Sequence, residues 1–415
     1  MTSHRIKVAI SLYLACMVVM HALVFWNARG MLRKGYSDFA IYYCAGKMVR
    51  QGLRHQLYDE QAQFRIQQEF ASAVAIRQGP LPYNHPPFEA LIFAPFARLP
   101  YFVGFLLWDS LNLLILLALP FLLRSCVPVL RELPAVGWLC VALAFFPVFV
   151  ALLQGQDVVL LLLLFALAFR ALKRRSHLAA GCWLGLGLFR FQIVLPFLLI
   201  LVLRRHRHTM LGFALVALGL ALISVALVGW NGALAYPAYV WRVETALGNG
   251  SIVPSDMPNL RGFIDTVLTA HLPSLFINML IAVISILLVF WASAKSTASD
   301  LSELLDLQFS LAVVVTLLVS YHSLPFDLCL LLLPALLVAN HVHGGAQIHG
   351  WDKAALLGPI VVLFLSPLLM LLSLRYRQLN FLMPLLGFWA WGISREILHR
   401  SRPGAQNALA QASHE

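Results

Sequence analysis

The chain has 415 residues, of which 60% are hydrophobic and only 12% are Asp, Glu, Lys or Arg, about half the charged share of a soluble domain. Water is therefore not its main solvent, and a soluble globular body is excluded. The net charge of +12 falls between the apolar runs, where basic residues set topology; no soluble basic face is left for nucleic acid, which is excluded as a partner.

Apolar runs recur from Val8 to Ile397, each of roughly the 17 to 25 residues that let a helix cross a bilayer with its backbone satisfied internally. The predicted fold class is all-α, a polytopic membrane protein with about 11–12 spans. Residues 1–400 read as one integral-membrane domain and 401–415 as a disordered cytoplasmic tail. The run Val8 to Trp26 is a retained first span, because Asn27-Ala28-Arg29-Gly30 offers no small-residue cleavage site. Further spans are predicted at 100–123, 134–152, 157–172, 209–229, 274–294, 304–321, 325–341, 354–373 and 380–397.

The stretch between Lys173-Arg174-Arg175 and Arg204-Arg205-His206-Arg207 is interrupted at Arg190-Phe191-Gln192 and has basic residues at both ends. A hairpin of two short helices meeting at Arg190 keeps both ends on the cytoplasmic side with the N-terminus and the Arg395–Arg402 tail, as the positive-inside rule requires. A single span would put Arg204, Arg205, Arg207, Arg395 and Arg400 outside. Two long outer loops result, at 27–99 and 230–273. In the first, Phe39 to Gln51 and Glu60 to Gln78 read as amphipathic interfacial helices, the second from Ile66, Phe70, Ala73 and Val74 at helical spacing. Phe88 to Phe96 is apolar but too short to cross.

On this topology Asp38, Tyr42, Tyr58, Asp59, Tyr83, His85, Gln154, Gln156, Asp157, Arg190, Asn259, Arg261, His322 and Asp327 converge at the outer side, which a shared outward-facing cavity explains. Asp38 precedes a helix, so an N-cap is its ordinary reading; the chemical one is a general base in a partly dry pocket. Arg190 interrupts an apolar hairpin and needs a partner. That partner is either a donor phosphate, matched by the guanidinium fork, or a buried acid such as Asp109 or Asp327, unless the arginine snorkels to the interface. His322 and Asp327 bracket Ser323-Leu324-Pro325-Phe326, a tight turn, as a loop histidine and a cap or as groups that touch phosphate and sugar. Gln154-Gly155-Gln156 is a turn whose amides suit sugar hydroxyls. Met257-Pro258-Asn259-Leu260-Arg261-Gly262 either presents Asn259 and Arg261 to a ligand or forms a structured cover.

The six cysteines, Cys16, Cys44, Cys126, Cys140, Cys182 and Cys329, suggest no disulfide framework. No CxxC, HExxH or EF-hand spacing is present, so sequence supports no dedicated metal site and no cofactor.

In order, the motifs Asp38-Phe39-Ala40-Ile41-Tyr42-Tyr43-Cys44-Ala45-Gly46, Gly52 with Leu57-Tyr58-Asp59, Tyr83-Asn84-His85-Pro86-Pro87 and Arg98-Leu99-Pro100 are followed by Gln154-Gly155-Gln156, Ala180-Gly181 with Gly185, and His322 to Asp327. The chain resembles glycosyltransferase family 87 in them, the bacterial polyprenyl-phosphate-mannose-dependent mannosyltransferases of the GT-C fold. The resemblance implies a metal-independent, inverting hexosyl transfer on the extracytoplasmic face of the plasma membrane, with a polyprenyl-phosphate sugar as donor and a lipid or glycan as acceptor. Asp38 would be the catalytic base and Arg190 and His322 the phosphate-binding residues. Tyr42, Asp59, Tyr83, His85, Gln154, Gln156, Asn259, Arg261 and Asp327 would border sugar or acceptor. Two departures stand out: Arg190-Phe191 where the family pattern has Lys-Pro, and Asn84-His85 where it has Tyr-x-Tyr before the prolines. The rival readings are a transporter or flippase, which needs charges along a route through the membrane, and an inactive envelope-assembly scaffold, for which Asp38→Asn is silent.

Overall fold

The computed structural model describes residues 2–72, 81–245, 253–294, 304–344, 348 and 350–401. Leu, Val, Ala and Phe dominate the long runs, and a backbone removed from water must pair within its own segment. The protein is accordingly all-α, with no strand among the described residues, and is built as a polytopic membrane protein. Five helical stretches are long and apolar enough to cross a bilayer, or seven if each of two bent pairs is one span.

The bends have local causes. Ala135–Ala144 and Phe146–Gln154 meet at 79°, where Phe145 is extended and Pro147 opens the second helix, so the span expected at 134–152 is two helices. Gly350–Leu363 and Ser366–Tyr376 meet at 60°, with Pro367 in the first turn of the second. His177–Leu203, one of the five stretches by length, does not run straight: 27 helical residues would measure about 40 Å, yet the rings of His177 and of His206 just beyond its end have centroids only 6.0 Å apart. The chain reverses at Arg190, whose φ of −112° and ψ of 55° are not helical. Its first arm packs on Arg207–Thr245 through Gly181, where a Cβ would lie 1.9 Å from the Thr209 carbonyl oxygen.

Arg207–Thr245 itself turns at Gly229, φ 77°, a conformation open chiefly to glycine. Beyond it, the Tyr236 hydroxyl donates to the Asn84 carbonyl at 3.1 Å and Tyr239 contacts Gln63 at 3.3 Å, fastening this arm over the first long loop. In that loop Phe39–Arg50 is enclosed instead of lying on an interface: Phe39, Tyr42, Tyr43, Cys44 and Met48 are buried against Phe93, Tyr101, Phe105 and Trp108. Its second helix is Glu60–Gln68; Ala73, Val74 and the rest of 73–78, like the tail 402–415, lie outside the described residues.

Polar side chains gather at both ends of the bundle. At one end lie Asp38, Gln156 and Arg190. At the other Lys173 pairs with Asp306 at 2.5 Å, and Glu396 with His341 and Arg400 at 3.0 and 2.6 Å. Between them Leu161, Leu162, Phe165, Phe169, Val313 and Leu317 belong to one apolar core.

Candidate active site

Gly155 adopts a left-handed φ of 63°, ending Phe146–Gln154. A Cβ there would lie 2.8 Å from that of Phe39, so glycine lets the turn sit against the first turn of Phe39–Arg50. The contact places both flanking amides on Asp38. The Asp38 backbone N–H donates to Gln154 Oε1 at 3.1 Å, and Gln156 Nε2 donates to Asp38 Oδ2 at 2.7 Å. Asp38 already has helical φ and ψ, and its side chain makes no cap hydrogen bond. Its half-buried carboxylate is held from across the fold and does not serve as an N-cap.

Gln156 is fully engaged. Its Oε1 accepts from the Tyr42 hydroxyl at 2.7 Å and from Arg190, while its backbone carbonyl accepts from Trp108 and Asn112 at 3.2 and 3.4 Å. Burial pushes the Tyr42 phenol well above its ordinary range despite the opposing charge of Arg190, so it remains a donor. Arg190, 3% exposed, pairs with Asp157 through Nε at 2.7 Å and Nη2 at 2.5 Å, and reaches Asp327 through Nη1 at 3.4 Å. A guanidinium this deep requires such partners. Asp109 is not among them.

Glu89, which sequence reading passed over, is the other acid here. Fully buried, it lies 2.9 Å from His85 Nδ1. Burial pushes its carboxyl well up, neighbouring Asp157 adds to this and Arg190 opposes it. Its signal was a carboxylate four residues after a histidine inside an otherwise apolar stretch.

The remaining candidates have structural ties. Asp59 caps Glu60–Gln68, accepting from Gln61 and Ala62 at 2.9 and 3.1 Å. Tyr83 is buried and donates to the Pro86 carbonyl at 2.9 Å. Asn259 caps Leu260–Leu268 through Gly262 and donates to the Ser320 carbonyl at 2.8 Å. Arg261 lies 3.9 Å over the Tyr321 ring and donates to its carbonyl. Asn259 and Arg261 thus clamp the cover onto the turn that carries His322. Asp327 closes that turn by accepting from Leu324 N–H at 2.7 Å. Asp38, Tyr42, Gln154, Gln156, Arg190 and Asp327 therefore form one connected network, with His85 beside Tyr42 at 4.9 Å between ring centroids.

The all-helical membrane body thus holds a half-buried carboxylate at one face, flanked by the Gln154 and Gln156 amides. The sequence profile of glycosyltransferase family 87 matches residues 83–320, more than half of the chain, and the chain belongs to that family: it is a membrane glycosyltransferase. The matched region holds His85, Glu89, Gln154, Gln156, Asp157 and Arg190, while Asp38, His322 and Asp327 lie beyond it. No curated protein and no solved structure matches the chain.

Proposed function

We propose that this glycosyltransferase moves a hexose, mannose by family resemblance, from a polyprenyl-phosphate donor to a hydroxyl of a lipid or glycan acceptor, with inversion. The site face is extracytoplasmic in this reading, and both termini are cytoplasmic in a bacterial plasma membrane. The observation that carries it is the Asp38 carboxylate, held by Gln156 Nε2 at 2.7 Å instead of capping its own helix. Asp38 takes the proton of the acceptor hydroxyl as its oxygen bonds to the anomeric carbon. The bond from that carbon to the phosphate oxygen breaks, and its electrons leave with the lipid phosphate. No separate acid is needed, because phosphate is a good leaving group.

The donor phosphate lies between Arg190 and His322. Arg190 keeps Asp157 and turns Nη1 to the phosphate, since the 3.4 Å contact to Asp327 is the one most readily displaced. Gln154 and His85 border the sugar or acceptor, and Tyr42 and Gln156 hold the site's shape. Against a transporter stands the apolar core between the two polar ends, which offers no charged route among the described residues.

Transfer from labelled polyprenyl-phosphate-mannose in membranes containing the protein or its Asp38→Asn variant tests this. Transfer should fall about 10²- to 10⁴-fold in the variant, the usual effect of losing a general base. Equal transfer by both removes Asp38 as the base.

A further inference from the structure

The helix Tyr101–Leu123 starts beside the site, where the Tyr101 and Phe105 rings pack on Phe39. Its 23 residues carry the chain about 35 Å away. At that far end it bounds a cleft of about 540 Å³, a size that holds small ligands, and none of the residues assigned to transfer lines it. A proline shapes the cleft. Pro120 has no N–H to give the Leu116 carbonyl one turn back, and the buried Trp138 indole donates to that carbonyl instead, at 2.8 Å. This bond fixes Ala135–Ala144 against Tyr101–Leu123. Pro120 and Phe121 form one wall, and Leu133, Pro134 and Ala135 form the other.

The polar lining is cationic. Arg131 Nε donates to the Arg124 carbonyl at 3.0 Å, which brings the two arginines to one cleft, and the Arg124 guanidinium lies 5.7 Å from the Phe121 ring centroid. Among the described residues neither guanidinium pairs with an acid; Glu132, next along the chain, goes to His343 at 3.1 Å. Arg174, arriving at the end of Val158–Lys173, adds a third positive charge by donating to Ser125 Oγ at 3.5 Å. Like charges gathered without a counter-ion repel, and an anion between them removes the repulsion. The apolar lining has a different need. Phe121 is 53% exposed and Val136, beside Ala135, is 72% exposed, so the cleft opens onto apolar surface that in a bilayer faces acyl chains.

We propose that this cleft binds an anionic glycerophospholipid. Its phosphate oxygens take the Arg124 and Arg131 forks, a match of geometry as well as charge, and its acyl chains run along Phe121 and Val136. Free phosphate would answer the arginines but leave the apolar walls uncovered; a lipid covers both. Seated there, it braces Tyr101–Leu123 and Ala135–Ala144 at the end opposite Asp38. In the topology proposed above this end meets the cytoplasmic leaflet, whose anionic lipids attract basic clusters. The cleft and its ligand chemistry depend neither on that assignment nor on the transfer reaction.

The test uses the full chain purified in detergent, stripped of lipid and titrated with mixed micelles of phosphatidylglycerol or of phosphatidylcholine with the same acyl chains. Bound lipid is counted by native mass spectrometry. Phosphatidylglycerol should bind at least about tenfold more tightly than phosphatidylcholine, and Arg124→Ala/Arg131→Ala should lose the preference. Ala135→Phe, which fills the cleft and keeps both arginines, should lose it too. Lys353→Ala removes an exposed charge outside the cleft and should keep it. Helicity and elution volume identify a cleft variant that fails to fold, and the other then decides. No preference in the wild type, an unchanged preference in a folded cleft variant, or an equal loss in Lys353→Ala overturns the proposal. Displacement of the lipid by inorganic phosphate at equal concentration marks a site for free anions and overturns the lipid as its occupant.

Discussion

Replacing Gln156 separates a residue that orients the base from one that touches sugar. Its side chain donates to Asp38 at 2.7 Å and accepts from Tyr42 and Arg190, which fixes the amide's orientation: neither end can turn without losing a bond. A hydrogen bond to a charged group contributes about 1.5–3 kcal/mol. If Asp38 depends on it for its position in the transition state, Gln156→Ala lowers kcat about 10- to 100-fold. KM should change little, because the lost interaction acts on the base and not on bound sugar. Gln156→Glu places a second carboxylate beside Asp38, and at about 4 Å and an effective dielectric near 20 the two repel by about 4 kcal/mol, an amount Arg190 partly offsets. Ionised Asp38 is then harder to reach, so the acidic limb of the pH–rate profile moves to higher pH. The assay is initial-rate transfer from labelled donor between pH 5 and 9 in proteoliposomes. Wild-type kcat in Gln156→Ala together with an unmoved acidic limb in Gln156→Glu refutes the reasoning, and a rise in KM alone returns Gln156 to the sugar.

Asp59→Ala should destabilise the protein by about 1 kcal/mol, the usual effect of a lost N-cap, and leave transfer intact; a loss of transfer of two orders or more in folded protein shows that Asp59 meets the substrate. Gly181→Ala sets a methyl 1.9 Å from the Thr209 carbonyl oxygen, so the two helices must separate. Overpacking of this kind costs about 1–3 kcal/mol, read as a fall of about 3 °C or more in apparent Tm, and an unchanged Tm speaks against the tight crossing.

Much of the architecture is written in local pattern. The apolar runs required helices because a backbone out of water has no other way to pair within one segment, and the basic residues on either side of Arg190 already implied a reversal there, as the neighbouring rings of His177 and His206 show. Gly155 between two glutamines gave the turn that faces Asp38. The bends at Phe145 and Leu365, by contrast, were hidden within runs that read as continuous.

What sequence by itself determined is thus what depends on neighbours along the chain: hydrophobic length and turn chemistry. Only the tertiary structure decided who meets whom. Asp38 could be a cap until Gln156 reached it, Asp59 and Asn259 could be ligands until their caps closed, and Arg190 had Asp109 or Asp327 as candidate acids until Asp157, not foreseen as a partner, and Asp327 took it. Glu89 sat unremarked in an apolar stretch until folding brought Asp157 beside it. Pairing energies of buried charges are set by a few ångströms of separation and by the water excluded around them, and neither quantity exists before the chain has folded.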